Sequence, residues 1–275
     1  MMTFRSRLWR NLAILVCACL LIASVYTVLA VSLRSTSFYT GWGLFGLMVV
    51  LASYNLFKKL PFVPLGSSST WLQFHIYFGY ATVLLFALHL GPRLPHKPLG
   101  IIMMVLYLGV ASSGILGLAL SRWVPPRLRA AGEEVLYDRI PIQQRVLQKK
   151  VEELVLRSVQ VADSTSISDF YVKRLKGFFD GPRHFWRHLL FSNLARRRAL
   201  LAESQDQKRY MNEQEREIME AVIVHIQAKD DLDYQYALQG VLKFWLFVHI
   251  PLTYSLLIFS LFHVLMVYTF SGVIQ

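Results

Sequence analysis

Long apolar stretches constrain the fold of this chain more than any other feature of its sequence. Hydrophobic residues make up 55% of the 275 residues. A helix of about 20 apolar residues crosses the ~30 Å hydrocarbon core of a bilayer with every backbone hydrogen bond made internally. We therefore predict an all-α membrane protein. The five predicted spans are Leu12–Leu33, Gly41–Phe57, Trp71–Leu90, Leu99–Leu120 and Val241–Phe270.

Charged residues divide the chain into a membrane part and a polar part. All 17 acidic residues lie between Arg122 and Gly240, together with 20 of the 29 basic residues. We predict spans one to four in residues 1–121, a helical cytoplasmic insert in residues 122–240, and the fifth span with a short external C-terminus in residues 241–275.

Basic residues outside the insert indicate an orientation, because cytoplasmic loops of membrane proteins carry an excess of Lys and Arg. On the side of the insert lie Arg5, Arg7, Arg10, Lys58, Lys59 and Lys243. On the opposite side lie only Arg34, Arg93 and Lys97. We expect the N-terminus and the insert in the cytoplasm and the C-terminus outside, in the inner membrane of a bacterium. The first apolar run is longer than the core of a usual signal peptide, so we expect a retained span.

The insert is predicted to be helical but poor in core residues. Apolar residues recur at helical spacing over Ile142–Gln160, and Asn212–Lys229 also has a helical pattern. We expect Pro125-Pro126 to end the fourth helix, because proline lacks the N–H that a helix interior needs. The insert has too few apolar residues for us to expect a rich core of its own. We expect it to pack against the membrane spans or a partner.

Two pairs of histidines lie inside the apolar stretches, and both pairs have the same spacing. His75 and His89 are fourteen residues apart in the third span, and His249 and His263 are fourteen apart in the fifth. Fourteen residues of helix rise ~21 Å and fall ~40° short of four full turns. Both histidines of a pair therefore face the same side of their helix, one in each half of the membrane.

The third and fifth spans run in the same direction, which predicts one histidine from each span at each of two depths. His75 and His249 share the cytoplasmic half, and His89 and His263 share the outer half. Ionisable residues inside membrane spans are costly and tend to mark function, and histidine is a common ligand of haem iron. We predict a five-span bundle that holds two stacked b haems. The sequence has no Cys-x-x-Cys-His motif, so we expect non-covalent binding.

Glycines in the third and fourth spans predict places of close approach. Gly79 lies one turn after His75, and Gly109, Gly114 and Gly117 lie along the fourth span. Because glycine has no Cβ, a flat macrocycle or a neighbouring helix can come close to the backbone at these positions.

The two His-x13-His pairs resemble those of the ferric-reductase-like transmembrane domain. They are carried here by Trp71–His75 with Ala87–His89, and by Phe247–Pro251 with Phe262-His263. This di-haem b-type family includes ferric reductases, NADPH oxidases and the haem subunit of the bacterial methionine-sulfoxide reductase system. The sequence is also similar to the haem bundle of cytochrome b from the bc complexes. The resemblance implies that the axial ligands of the two haem irons are His75, His89, His249 and His263.

The resemblance further implies transmembrane electron transfer, and the differences from the family indicate a subunit rather than a complete enzyme. Flavin-bearing members continue past a sixth span into FAD and NAD(P) domains, whereas five spans are predicted in these 275 residues. The Pro-Glu-Trp-Tyr signature of the bc quinol site is missing from the sequence. We expect an electron-transfer subunit of an oxidoreductase, which relays electrons between a cytoplasmic or quinone partner and an external redox partner.

Two other functions remain open. One is a quinol-reacting cytochrome b subunit of a respiratory dehydrogenase or reductase, which needs a quinone pocket beside one haem. The other is a haem-free metal transporter or scaffold that uses the four histidines as metal ligands. Two imidazoles at each depth make a poor zinc site when no Cys, Asp or Glu joins them. In each case the lipid bilayer is a partner of the chain.

A basic segment of the insert also has two open interpretations. Between Phe170 and Arg209 the chain has ten basic and three acidic residues. Within this segment, Arg183–Leu190 mixes cationic, aromatic and aliphatic residues, as a helix at the surface of anionic lipid does. The segment is either a solvated face near the membrane or a docking site for an electron donor. Because it adjoins the bilayer, we expect no nucleic-acid partner.

Overall fold

All the secondary structure in the described part of the chain is helical. The computed structural model describes residues 4–32, 35–53, 68–92, 94–162, 165–181 and 194–271. Its helices are α1 (Phe4–Val31), α2 (Thr36–Ala52), α3 (Ser68–Leu90), α4 (Pro98–Ala130), α5 (Ile140–Ala162), α6 (Ser166–Phe170), α7 (Lys176–Phe179), α8 (Leu194–Gln207) and α9 (Glu213–Ser271). Single helical turns lie at Tyr137–Arg139, Tyr171–Leu175 and Lys208–Tyr210. The prediction of an all-α chain is confirmed.

Several of these helices are suited to a lipid environment. Within the described residues, four are long and apolar enough to cross a membrane: Leu12–Val31, Thr70–Leu90, Pro98–Ala130 and Glu213–Phe270. Helix α2 is apolar but has only 17 residues. Large apolar side chains on these helices are exposed, among them Leu20, Val105 and Ile258, which is compatible with contact with lipid chains. The helices indicate an integral membrane protein.

Helix α2 begins and ends earlier than the span predicted over Gly41–Phe57. It spans Thr36–Ala52, and residues 54–57 lie outside the described part of the chain. The helix begins before Gly41 because glycine is a poor helix former but does not terminate a helix that packing stabilises, and the bounds of the second span stay a prediction. Gly41, Gly43 and Gly46 also have the Gly-x-Gly-x-x-Gly spacing of dinucleotide-binding loops. They lie inside a helix rather than in a turn between a strand and a helix, so they form no such loop.

Helix α4 continues through the two prolines that were expected to end it. The helix reaches Ala130, with Pro125 and Pro126 inside its last turns. Val124 and Leu128, on either side of the prolines, are buried and pack in one cluster with Leu238. Burial of these side chains offsets the hydrogen bonds that the prolines remove, about 3 kcal/mol for a proline in a helix interior.

Helix α9 contains two elements that the sequence pattern predicts as separate helices. The predicted helix Asn212–Lys229 and the predicted span Val241–Phe270 form one helix of 59 residues. Its start is capped reciprocally: the Glu215 N–H donates to Asn212 Oδ1 (2.8 Å), and the Asn212 N–H donates to Glu215 Oε2 (2.9 Å). Only Gly240 weakens the helix between these elements, at a cost of about 1 kcal/mol. The helix therefore extends beyond the start of the predicted fifth span, and the point at which that span enters the membrane stays a prediction.

The chain divides into two compact units. One comprises residues 1–118 and 245–275, and we call it the apolar unit; the other comprises residues 119–244, and we call it the polar unit. In the apolar unit α2 packs against α3, and α1 contacts both helices. A buried cluster in this unit joins parts of α2, α3, α4 and α9 through Leu44, Met48, Leu85, Tyr107 and Leu256.

The polar unit has a well-filled core, which corrects the expectation of an insert too poor in apolar residues. Its buried side chains come from α5, α6, α7, α9 and the turns between them: Val151, Val155, Ile167, Phe170, Tyr171, Leu175, Phe178, Phe179, Met211, Ile218, Met219, Val222, Ile223 and Ile226. Lys229 Nζ also lies 2.6 Å from Asp233 Oδ2 in the interior, where both side chains are almost fully buried. The expectation of a poor core failed because many of the buried apolar residues lie in short helices, where the sequence has no clear hydrophobic repeat.

Some sequence predictions fall on residues whose structure is not described. Four of the basic residues that indicate orientation lie outside the described residues: Arg34, Lys58, Lys59 and Arg93. The interfacial helix predicted at Arg183–Leu190 also lies outside the described residues.

Candidate functional site

The four histidines of the apolar stretches lie together in the apolar unit. Helix α3 carries His75 and His89, and α9 carries His249 and His263. His75 and His249 are close enough to interact electrostatically, and so are His89 and His263. These are the same two pairs that the spacing predicts. Their role as haem ligands stays a prediction.

A partly open cavity of about 120 Å³ lies between α2, α3, α4 and α9, and both His89 and His263 line it. None of the residues that line this cavity is charged. Most of its wall is apolar or aromatic, with ring side chains from Phe38, Trp42, Phe45, Phe86, Tyr107 and Tyr268. The lining therefore suits a flat, mainly apolar group that lies beside two imidazoles.

Helix α2 holds the ring of His89 on one side. Nδ1 of His89 lies 3.0 Å from the Ser37 carbonyl oxygen, which can only accept a hydrogen bond, so Nδ1 carries the hydrogen. The Thr40 hydroxyl lies 3.4 Å from the same nitrogen and donates its own hydrogen to the Thr36 carbonyl (2.8 Å). Neutral His89 therefore has its lone pair on Nε2, the form that binds a metal.

Gly41 of α2 lies against the ring of His89. A Cβ at Gly41 would lie only 2.8 Å from Cε1 of His89. The sequence therefore needs glycine here for the contact between α2 and α3, and no larger residue fits without movement of the ring.

The ring of His249 is held by two residues of α4 and α9. Its Nδ1 lies 2.6 Å from the Ser113 hydroxyl oxygen. Trp245, one turn earlier on α9, stacks on the imidazole with ring centroids 5.3 Å apart and planes 24° apart. The Trp245 indole N–H donates to the Ser113 carbonyl at 2.7 Å. Ser113 thus contacts the histidine and its stacking partner at once.

His75 has space beside it on its own helix. The ring lies near the backbone carbonyl of Leu51 in α2. One turn further along α3, a Cβ at Gly79 would meet no atom within 4 Å. A flat group beside Gly79 stays a prediction.

The glycines of the fourth span bring α4 close to α9, as predicted. A Cβ at Gly109 would contact Leu252 at 3.8 Å, and one at Gly114 would contact His249 at 3.9 Å. A Cβ at Gly117 would overlap the indole ring of Trp245. For these three glycines the predicted close approach of a helix is confirmed.

The sequence pattern does not reveal the small polar residues that contact the histidines. Ser37, Thr40 and Ser113 are ordinary residues of apolar helices, and nothing in their local pattern marks them. A buried pair between the two histidine levels was also missed. The Tyr107 hydroxyl donates to Thr82 Oγ1 (3.1 Å). Only its position in the sequence could have indicated Thr82, because it lies seven residues from both histidines of α3.

The donor set fits haem better than a bare metal ion. Among the described residues, no three or more His, Cys, Asp or Glu side chains form a group that could hold a metal ion. A haem iron needs only two protein ligands, because the porphyrin supplies four nitrogens. Paired imidazoles, an uncharged aromatic cavity and Nδ1–H groups that donate to oxygen are the features that such a group requires.

Comparisons with known proteins identify no relative of the chain: no family model, no curated protein and no solved structure matches it.

Proposed function

We propose that this protein is a di-haem b-type cytochrome that carries electrons across a membrane. One observation carries the proposal: a single apolar unit brings four histidines together as two pairs, one of which lines an uncharged, largely apolar cavity. His75 and His249 would hold the iron of an inner haem, and His89 and His263 that of an outer haem.

The chemistry follows from the ligands. A haem iron with two axial imidazoles supplies reversible one-electron transfer and has no free position for O₂ or substrate. The protein contributes the neutral imidazoles, whose Nδ1–H groups are held by the Ser37 carbonyl and the Ser113 hydroxyl. It also supplies aromatic walls, which include Phe86 stacked on Tyr107 with ring centroids 3.9 Å apart.

The proposal includes an orientation and a location. The excess of basic residues favours a cytoplasmic N-terminus and polar unit and an external C-terminus, in the inner membrane of a bacterium. Electrons would pass between a cytoplasmic partner and an external redox protein, as in the ferric-reductase-like domain that the histidine spacing resembles. The chain would then work as the membrane subunit of an oxidoreductase.

A quinone is the second candidate partner, favoured by the mouth of the cavity. The exposed ring of Tyr268 lies edge-on to Phe38 and Trp42, with centroids 6.4 and 6.3 Å apart. These rings and the lack of charge in the lining suit a flat, neutral head group that arrives from the lipid. Oxidation of the reduced protein by a water-soluble quinone analogue, blocked by replacement of Trp42 with alanine, would favour a quinol-reacting subunit.

A haem-free metal transporter or scaffold is the least supported function. Zinc and similar ions take three or four protein ligands, whereas the histidines here come in twos.

The first test is a dithionite-reduced minus oxidised absorbance spectrum of the detergent-purified protein, with a pyridine haemochrome assay. We expect a low-spin b-type spectrum and about two haems per chain. A featureless spectrum from folded protein would overturn the proposal, and zinc or copper bound to that protein would favour the metal-site function.

The pairing is tested by replacing one ligand at each level. Both His249→Ala and His263→Ala should retain about one haem per chain, because each variant spares one complete pair. The two variants should retain haems with different midpoint potentials. If either variant keeps both haems, the assigned pairs are wrong.

A further inference from the structure

Ser113, Trp245 and His249 form a small cluster at the inner level of the apolar unit. Ser113 lies on α4, 136 residues before His249 in the sequence. Its hydroxyl oxygen lies 2.6 Å from Nδ1 of His249, and its carbonyl oxygen accepts the Trp245 indole N–H at 2.7 Å. The hydroxyl of Ser113 therefore contacts the His249 ring, and its carbonyl contacts the Trp245 ring.

The direction of the hydrogen bond between Ser113 and His249 depends on the tautomer of the imidazole. The Ser113 hydroxyl has one hydrogen, and both the Val110 carbonyl at 3.1 Å and Nδ1 of His249 at 2.6 Å can accept it. When the hydroxyl donates to Val110, its oxygen accepts the hydrogen of Nδ1. The lone pair of the neutral ring then lies on Nε2, the atom that must bind iron in the proposed site.

Trp245 restricts the rotation of the same ring. Its indole stacks on the imidazole with planes 24° apart, and the bond to the Ser113 carbonyl prevents the indole from turning away. Gly117 provides the space, because a Cβ there would overlap the indole. The imidazole is therefore held at one edge by a hydroxyl and on one face by an indole.

We propose that Ser113 and Trp245 are positioning residues that hold His249 as an Nε2 ligand and lower the midpoint potential of the inner haem. This inference rests on the proposed function. A ligand imidazole that donates its Nδ1–H to an oxygen is more basic, and a more basic ligand stabilises ferric iron over ferrous iron.

The test is a potentiometric titration of full-length wild type, Ser113→Ala and Ser112→Ala, with both haems followed by absorbance. Ser112 is the matched control, because its exposed hydroxyl donates to the Gly109 carbonyl at the same 3.1 Å. Ser113→Ala should raise the midpoint potential of one haem, the one that His249→Ala removes, and leave the other unchanged. Ser112→Ala should change neither. An unchanged or lowered inner potential in Ser113→Ala would overturn the inference.

A second variant, Ser113→Thr, keeps the inference testable if Ser113→Ala loses the inner haem. Ser113→Thr keeps the hydroxyl acceptor and should keep the inner haem and its potential. If Ser113→Ala and Ser113→Thr lose the inner haem equally, side-chain volume rather than the hydroxyl matters, and the inference is wrong. These outcomes leave the proposed function standing, whereas wild-type protein without haem would remove it.

Discussion

At the scale of single residues, the surroundings of a histidine decide which of its nitrogens can bind a metal. The Ser37 carbonyl can only accept, so it places the hydrogen of His89 on Nδ1. We propose that the Ser113 hydroxyl has the same effect on His249, with its own hydrogen on the Val110 carbonyl. One histidine of each proposed pair would then be held in the same tautomer, by a carbonyl in one case and by a hydroxyl in the other.

Gly41 provides the sharpest test at this scale. In Gly41→Ala the new Cβ would lie 2.8 Å from Cε1 of His89. The ring must then move and lose its bond to the Ser37 carbonyl, so we expect haem content to fall from about two to about one per chain, with a stability loss of about 1–3 kcal/mol. Pyridine haemochrome and thermal unfolding measure the two effects.

The matched control for this variant is Gly43→Ala on the same helix. Its Cβ would meet the Leu85 methyl groups at an ordinary 3.9 Å, so both haems should remain. Equal haem content in the two variants would show that Gly41 does not determine the position of His89.

At the scale of helices, α4 and α9 meet along a line of glycines. Gly109, Gly114 and Gly117 each allow a side chain of α9 to approach the α4 backbone. This contact lies beside His249 and brings Ser113 within hydrogen-bond distance of it. The helix contact and the histidine geometry therefore depend on each other.

Gly117→Ala should break this contact. The added Cβ would overlap the Trp245 indole, which must leave its stack on His249 and its bond to the Ser113 carbonyl. We expect a loss of about 1–3 kcal/mol together with loss or a shifted potential of the inner haem. Gly109→Ala is the control, because its Cβ would meet Leu252 at 3.8 Å. An inner haem as intact in Gly117→Ala as in the control would contradict the prediction.

Helix α9 also carries a buried ion pair in the polar unit. Lys229 and Asp233 lie one turn apart with almost no exposed surface, and Gln144 donates to the same carboxylate at 2.7 Å. Asp233→Ala should destabilise the protein by about 3–5 kcal/mol, because it leaves a buried ammonium without its counter-charge. Denaturant unfolding followed by circular dichroism measures the loss. The double variant Lys229→Met/Asp233→Ala should lose less, and equal losses would rule out this explanation.

At the scale of the whole molecule, the chain combines an apolar unit that contains the paired histidines with a polar unit that has its own core. The two units differ in charge as well as in hydropathy, since all 17 acidic residues lie between Arg122 and Gly240. The core of the polar unit leaves charged side chains on its surface, among them Lys173 and Arg174. Docking of an electron donor is the role that we propose for part of that surface.

This role predicts an effect of surface charge on electron entry. Replacement of four exposed basic residues by glutamine, at Lys173, Arg174, Arg198 and Arg209, should leave haem content unchanged. It should slow reduction by an acidic cytoplasmic donor about tenfold at low salt, because complementary charges accelerate association. Stopped-flow reduction at several ionic strengths measures the rate.

The control neutralises four exposed basic residues of α5 in the same unit: Arg145, Lys149, Lys150 and Arg157. If both sets slow reduction equally, net charge rather than a docking site is responsible. If neither set does, the basic segment between Phe170 and Arg209 is a solvated face.

The sequence by itself determined the helical class, the apolar stretches and the fourteen-residue spacing of both histidine pairs. These properties are local, because hydropathy and helical repeat are set within one segment of chain. The tertiary structure alone decided that Ser113 meets His249 across 136 residues, that Gly41 contacts His89, and that Val124 and Leu128 carry α4 past its prolines. Such contacts depend on which distant residues pack together, and packing also joined Asn212–Lys229 to the last span as a single helix. No periodicity within a segment contains that information.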